Sequence, residues 1–371
     1  MSAPVRLAVL GAGLIGRRHI EHVEAEAMAD LAAVVDPTPA GEAIARKHGT
    51  RWFASLGEML AVDKPDGVII ATPNQIHVAN GLEAVAAGVP ALVEKPIADD
   101  IASATALVEA AEAAGVALLV GHHRRHNPMI QAAKRAIEAG HLGQVLAVHG
   151  ICWFFKPDDY FDIPWRREKG AGPVFLNLIH DVDNLRYLCG EVASVQALES
   201  NAVRGNPVEE TAVILLRFAS GALGTVTVSD GVVAPWSWEL TTAENPAYPR
   251  TDEACYQIGG THGSLAIPQL DLWRNKDKRS WTQPIAPERL TYERQDPLRL
   301  QVRQFCKVIR HEEAPLVSGR DGLETLRVID AVKRSAATGQ IVRLRHDEGK
   351  SRERDEDRTN DKHERSESSP G

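Results

Sequence analysis

Five short runs of almost uninterrupted aliphatic residues, at 5–10, 31–35, 67–71, 90–94 and 116–121, alternate with helical segments near 14–27, 40–48, 55–62, 75–88 and 101–114. A strand that is apolar on both faces must be covered on both faces, and helices placed between such strands supply the cover. The pattern predicts an α/β Rossmann domain, a doubly wound parallel sheet, over residues 1–126. Near residue 127 the pattern changes. A helix at 128–139 precedes longer alternating runs at 144–155, 192–203, 211–219 and 222–231, and a helix at 174–189 closed by Gly190 interrupts them. Ser220–Gly221 between the last two runs signals a hairpin turn. A second, α+β domain with a large, open, mostly antiparallel sheet is expected over 127–346. Residues 232–257 read as an irregular excursion from that sheet. The late helices, 297–312 and 321–338, are able to pack back on the first domain. The tail at 347–371 holds no aliphatic or aromatic residue and is expected to be disordered.

Composition narrows the partners. The 371 residues suffice for two cores, and their net charge of −8 comes without a basic block in the folded part, which argues against nucleic acid or an anionic membrane surface. No stretch approaches the roughly 20 apolar residues of a membrane span. The first apolar run is broken by glycines and reads as a strand, not as the core of an export signal. Cys152, Cys189, Cys255 and Cys306 are scattered, so reduced thiols and a cytoplasmic location are expected.

The motifs sit where the strands end. Gly11-x-Gly13-x-x-Gly16 follows the first strand and opens a helix, and with Leu14 and Ile15 it forms a candidate pyrophosphate cradle. Asp36 ends the second strand, 20 residues after Gly16. A carboxylate there can accept both ribose hydroxyls and repel a 2′-phosphate, so NAD is expected over NADP. Thr72, Pro73 and Asn74, followed by His77, line the crevice after the third strand. Glu94 and Lys95 do so after the fourth, and a lysine there can hold and polarise a substrate oxygen. On the helix at 174–189, His180 shares a face with Asn177 and with Asp183, either of which could fix its tautomer. His122, His123 and His126 lack the carboxylate or cysteine company of a metal site, and no metal is expected. The aromatic, Asp- and Pro-rich stretch 152–165 reads as a loop roofing a small-molecule pocket, with Trp153, Phe155, Lys156 and Tyr160 as candidate lining.

Taken in order, the "GAGxxGxxH" start, the "EKP" strand end and the histidine-bearing helix after "GxGP" resemble the glucose–fructose oxidoreductase, inositol dehydrogenase and MocA (Gfo/Idh/MocA) family over roughly residues 4–345. The resemblance implies a Rossmann domain and a second sheet domain that covers the nicotinamide and mediates homodimers or homotetramers. It implies that Lys95 is the catalytic lysine and His180 the acid/base. It further implies that Trp165 and Arg166 approach the cofactor and that His123 lies beside the nicotinamide, while His19 and His77 match positions near the dinucleotide loops. Many members carry an aspartate four residues before the histidine; here Leu176 stands there, with Asn177 beside it. The expected activity is NAD-dependent hydride transfer to or from a secondary alcohol of a sugar, inositol or related small polar substrate. Alternatives are a cis-dihydrodiol of an aromatic acid, its carboxylate met by Lys156, Arg166 and Arg167, and a non-catalytic NAD-binding regulator.

Overall fold

The structure is a computed structural model and describes residues 3–344; the expectation for the tail at 347–371 lies outside the described residues. The first half alternates as its pattern predicts. Strands β1 (Val5–Leu10), β2 (Ala29–Val35), β3 (Arg51–Phe53), β4 (Gly67–Ile70), β5 (Ala91–Val93) and β6 (Leu118–Val120) are separated by α1 (Leu14–Ala25), α2 (Pro39–Lys47), α3 (Leu56–Val62), α4 (His77–Ala86) and α5 (Ile101–Ala114). They form one six-stranded sheet in the order β3-β2-β1-β4-β5-β6, with every pair parallel. Because all six run the same way, the residues that follow them emerge at one edge. The strand order reverses direction between β1 and β4, which opens a crevice at that edge. The three-residue β3 was not anticipated; it is too short to carry a period.

The second half begins with α6 (Pro128–Glu138), capped by the Asn127 side chain, and β7 (Val145–Trp153). The helix expected at 174–189 is in two pieces, a π-helical turn over Val174–Leu178 and then α7 (Ile179–Cys189). Strands β8 (Val192–Ser200), β9 (Thr211–Phe218) and β10 (Leu223–Ser229) follow, the last two forming the expected hairpin. The excursion holds one short helix, α8 (Trp238–Thr241). Four strands then appear that the sequence reading missed: β11 (Tyr256–Gly260), β12 (Ser264–Ile267), β13 (Asp271–Asn275) and β14 (Ile285–Arg289). Helices α9 (Pro297–Ile309) and α10 (Gly319–Thr338) and strand β15 (Val342–Arg343) finish the described chain. The nine-stranded sheet runs β14-β13-β12-β11-β7-β10-β9-β8-β15 and is antiparallel except for the β7–β10 pair.

One face of this sheet is core. Val195, Ile214, Leu216, Val226 and Ile258 point towards Ile130 of α6, Val182 and Leu185 of α7 and Val332 of α10. The alternate residues Leu198, Val213, Leu215 and Leu223 lie on the other face and are exposed. The late helices do return to the first domain. Val302 and Phe305 of α9 pack with Leu7, Val9 and Ile20, and Leu323 and Leu326 of α10 join the core beneath β6. Since α10 contributes to both cores, it ties the two sheets together.

Candidate active site

The glycine turn is built as a phosphate cradle. Gly11 has φ +88°, and a Cβ there would press on the Ala71 carbonyl at 2.6 Å. A Cβ at Gly16 would land on the Gly11 carbonyl, so helix and strand approach only because Gly16 lacks one. At Gly13 a Cβ would meet nothing within 4 Å. That open space lies over the start of α1, whose first turn carries no acid and no capping side chain, and where Leu14 is 88% exposed. Free N–H groups under an open hollow are what a pyrophosphate requires, so the residues present fit the dinucleotide.

Asp36 lies beside this turn, though its carboxylate is busier than expected. Oδ2 accepts from Ala12 N (2.8 Å), and Oδ1 accepts from both the amide (2.9 Å) and the hydroxyl (2.5 Å) of Thr38. Three bonds thus already converge on the carboxylate, and Oδ2 keeps a lone pair for a ribose hydroxyl. Burial raises its pKa, but Thr38 and Ala12 outweigh that and hold the carboxyl below its ordinary range, keeping the charge that repels a 2′-phosphate.

His77 was expected on the cofactor and instead holds the loops. It is buried, with Nδ1 2.8 Å from the Pro96 carbonyl and Nε2 2.9 Å from the Thr72 carbonyl, so neither nitrogen is left for a ligand. It thereby joins the loop of Thr72, Pro73 and Asn74 to the one carrying Lys95. Glu94 is committed too: Oε1 takes His19 Nε2 at 2.7 Å and Oε2 takes the Lys95 amide at 3.1 Å. Burial opposes its charge, but His19, with His123 and Lys95, overrides burial and holds the carboxyl at about 2. Glu94 is thus the support beneath Lys95.

Lys95 reaches across from the first sheet to the second domain, where Nζ donates to the Leu176 carbonyl at 3.2 Å. That carbonyl belongs to the π-helical turn at 174–178, an irregularity of the kind often found at functional sites. A main-chain oxygen of Leu176, four residues before His180, therefore faces the lysine. Burial lowers the ammonium's pKa to about 8, Arg124 adding to the effect and Glu94 opposing it.

His180 follows in the first turn of α7. Burial, reinforced by Lys95, Arg124, His123 and His122, pushes it well below the ordinary histidine range, so the ring is a neutral base. The expectation that Asp183 could fix its tautomer is overturned. Asp183 is gripped by Arg125 through two bonds of 2.8 and 2.7 Å and also accepts from Thr325. Asn177 serves Lys156, whose Nζ donates to its Oδ1 at 2.9 Å and lies 3.3 Å from Asp230 Oδ2. His180 Nδ1 is left buried without a partner.

The roof is only partly as expected. Tyr160 lies under Lys156 and Arg166, their charges 5.1 and 4.0 Å from its ring centroid. Arg166 also donates to the Tyr160 carbonyl at 2.9 Å, and Trp165 beside it is half exposed. Trp153 lies on the opposite face of β7 from Cys152 and packs edge-on against Trp236. Several charged groups around the site went unanticipated: Arg124, held by Asp181 (3.1 Å) and Glu239 (2.8 Å) and stacked on Trp238, and Glu244, 3.0 Å from His123. Their partners are more than 50 residues apart, so no local pattern marks them. All four cysteines are buried and free. Among the described residues no group of three His, Cys, Asp or Glu could hold a metal, and no helix is long and apolar enough to cross a membrane.

A parallel sheet with a glycine cradle and acidic second strand, facing a lysine and a neutral histidine across a domain boundary, defines a dinucleotide-dependent oxidoreductase. Comparison with known proteins gives the particular family. Residues 5–122 match the oxidoreductase family with an NAD-binding Rossmann fold, and residues 130–266 match the GFO/IDH/MocA C-terminal domain. The chain is 30% identical over 230 residues to the rhizopine catabolism protein MocA of Rhizobium meliloti, covering 60% of this chain and 70% of that one. It is 29% identical over 357 residues to the scyllo-inositol 2-dehydrogenase (NAD(+)) of Bacillus subtilis, covering 93% and 97%. Among solved structures it resembles the WlbA dehydrogenase of Bordetella pertussis in complex with NADH and UDP-GlcNAcA, with a TM-score of 0.74 and 27% identity over 93% of this chain and 100% of that one. The chain belongs to the Gfo/Idh/MocA oxidoreductase family.

Proposed function

We propose that the chain oxidises, or in reverse forms, a secondary alcohol of a sugar- or inositol-like polyol, with Lys95 and His180 as the catalytic pair. The observation that carries this reading is the bond from Lys95 Nζ to the Leu176 carbonyl, four residues before His180, which holds both groups at one point of the crevice. Bound NAD supplies the hydride acceptor. Lys95 keeps two N–H donors beyond the one given to Leu176; they hold the substrate oxygen and stabilise its developing negative charge. His180, neutral, takes the hydroxyl proton as the C–H electron pair departs. Lys156 and Asn177, locked to each other, and Tyr160 present polar groups for the remaining hydroxyls. Of the three basic residues offered for an aromatic acid, Lys156 and Arg166 are engaged by Asn177, Asp230 and Tyr160 and Arg167 is exposed, which favours a neutral polyol.

A homodimer or homotetramer through the outer face of the second sheet completes the proposal. Leu198, Val213, Leu215, Leu223 and Ile341 are exposed there, and the face encloses a shallow hollow of about 880 Å³. An apolar surface of this kind favours a self-complementary contact. The activity is tested by NADH absorbance with a panel of inositols, aldoses and sugar acids. At least one substrate should give NADH. Flat traces across the panel with NAD binding intact would favour a non-catalytic regulator.

A further inference from the structure

A catalytic histidine is ordinarily aimed by a hydrogen bond on its second nitrogen, and His180 has none: Nδ1 is buried without a partner, and the carboxylate one turn away, Asp183, belongs to Arg125. What touches the ring instead is a pair of histidines from the stretch after β6. His122 lies 6.2 Å away with the ring planes at 89°, and His123 lies 5.5 Å away at 71°, both edge-on. Of these, His123 is anchored. Its Nε2 is 3.0 Å from Glu244 Oε1, and Glu244 Oε2 accepts from Asn127 at 2.8 Å.

We propose that Glu244 is a positioning residue for the reaction above, acting through His123 to set the ring of His180. A carboxylate only accepts hydrogen bonds, so His123 must carry a proton on Nε2, and the bond to Glu244 fixes which edge of the ring faces the carboxylate. With its plane fixed in this way, His123 is a rigid wall for His180. The chain delivers Glu244 deliberately. Its amide donates to Thr242 Oγ1 at 3.2 Å, and Ala243 before it sits at φ +54°, a conformation rare for a side-chain-bearing residue that persists only where surroundings impose it. Burial opposes ionisation of Glu244, but His123, Arg124 and Asn127 outweigh it and hold the carboxyl at about 2. Glu244 thus stays ionised throughout the working range. The excursion at 232–257 thereby acquires a purpose: it brings one carboxylate to the back of the catalytic histidine's neighbour.

The proposal rests on His180 being the base, and its test is chosen to read the linkage without turnover. Full-length protein carrying nitrogen-15 histidine is compared by ring NMR as wild type, Glu244→Gln and Glu244→Ala, with His123→Ala and His180→Ala for assignment. The wild-type His123 should show a protonated Nε2. Glu244→Ala should reduce protonation at that nitrogen and shift the His180 ring signals. Glu244→Gln keeps shape and a partner but not charge, and should shift both in the same direction by less. On any polyol the wild type oxidises, kcat should fall about ten- to a hundredfold in Glu244→Ala, with KM for NAD within about twofold. Unchanged protonation at His123 Nε2, or His180 signals that stay put, in both variants overturns the proposal. A panel without a substrate would count against the activity, not against this linkage, which the ring signals decide.

Discussion

At the residue scale the site depends on two side chains kept away from their ordinary protonation behaviour. Lys95→Ala and His180→Ala should each lower kcat by about 10²–10⁴ while NAD binding, followed by fluorescence titration, stays within a few-fold. The lysine also predicts opposed pH dependences. Its folded pKa is about 8, against 10.5 ordinarily, chiefly from burial. Activity requiring the ammonium should therefore fall as pH rises through about 8. Stability runs the other way. Between about 8 and 10.5 the folded chain has shed a proton that the unfolded chain still holds, so the cost of the buried charge is full below 8 and relieved above it. Lys95→Met should accordingly raise stability near pH 7 by about 1 kcal/mol while abolishing turnover, as thermal unfolding at the two pH values would show.

At the element scale the glycine turn separates folding from binding. Gly16→Ala drives a methyl into the Gly11 carbonyl and should lower the melting temperature sharply. Gly13→Ala fills only open space, so it should leave the melting temperature within a degree or two and weaken NAD by about tenfold or more, since the methyl stands where a phosphate must approach. Equal effects of the two on stability would contradict this geometry. The turn was legible in the sequence because glycine spacing and apolar strands are local signals, and the placement of Lys95 at a strand end and of His180 on a helix was legible for the same reason. Other features were not. Strands β11 to β14 are only four or five residues long, too short for a period to stand out, and β14 is exposed throughout. The π turn has the same residue types as an α-helix and differs only in its hydrogen bonds. Glu244 lies in an irregular segment, 121 residues from the histidine it anchors.

At the scale of the whole molecule, the late helices make the two sheets one cooperative object. Phe305, fully buried under β1 though nearly 300 residues from it, should cost about 3–5 kcal/mol as Phe305→Ala, and the loss should appear as a single lowered transition by calorimetry. The outer sheet face should hold copies together: the wild type should elute as a dimer or tetramer by light scattering, and Leu215→Glu with Leu198→Glu should yield monomer. On the proposed mechanism catalysis needs both halves, since Lys95 comes from the first sheet and His180 from the second domain. The most direct test of that joint role follows the hydrogen itself. With a polyol deuterated at its carbinol carbons and wild-type protein, mass spectrometry should find deuterium in the NADH formed, and Lys95→Ala or His180→Ala should suppress its appearance by at least a hundredfold. Deuterated NADH at the wild-type rate from either variant would contradict the account.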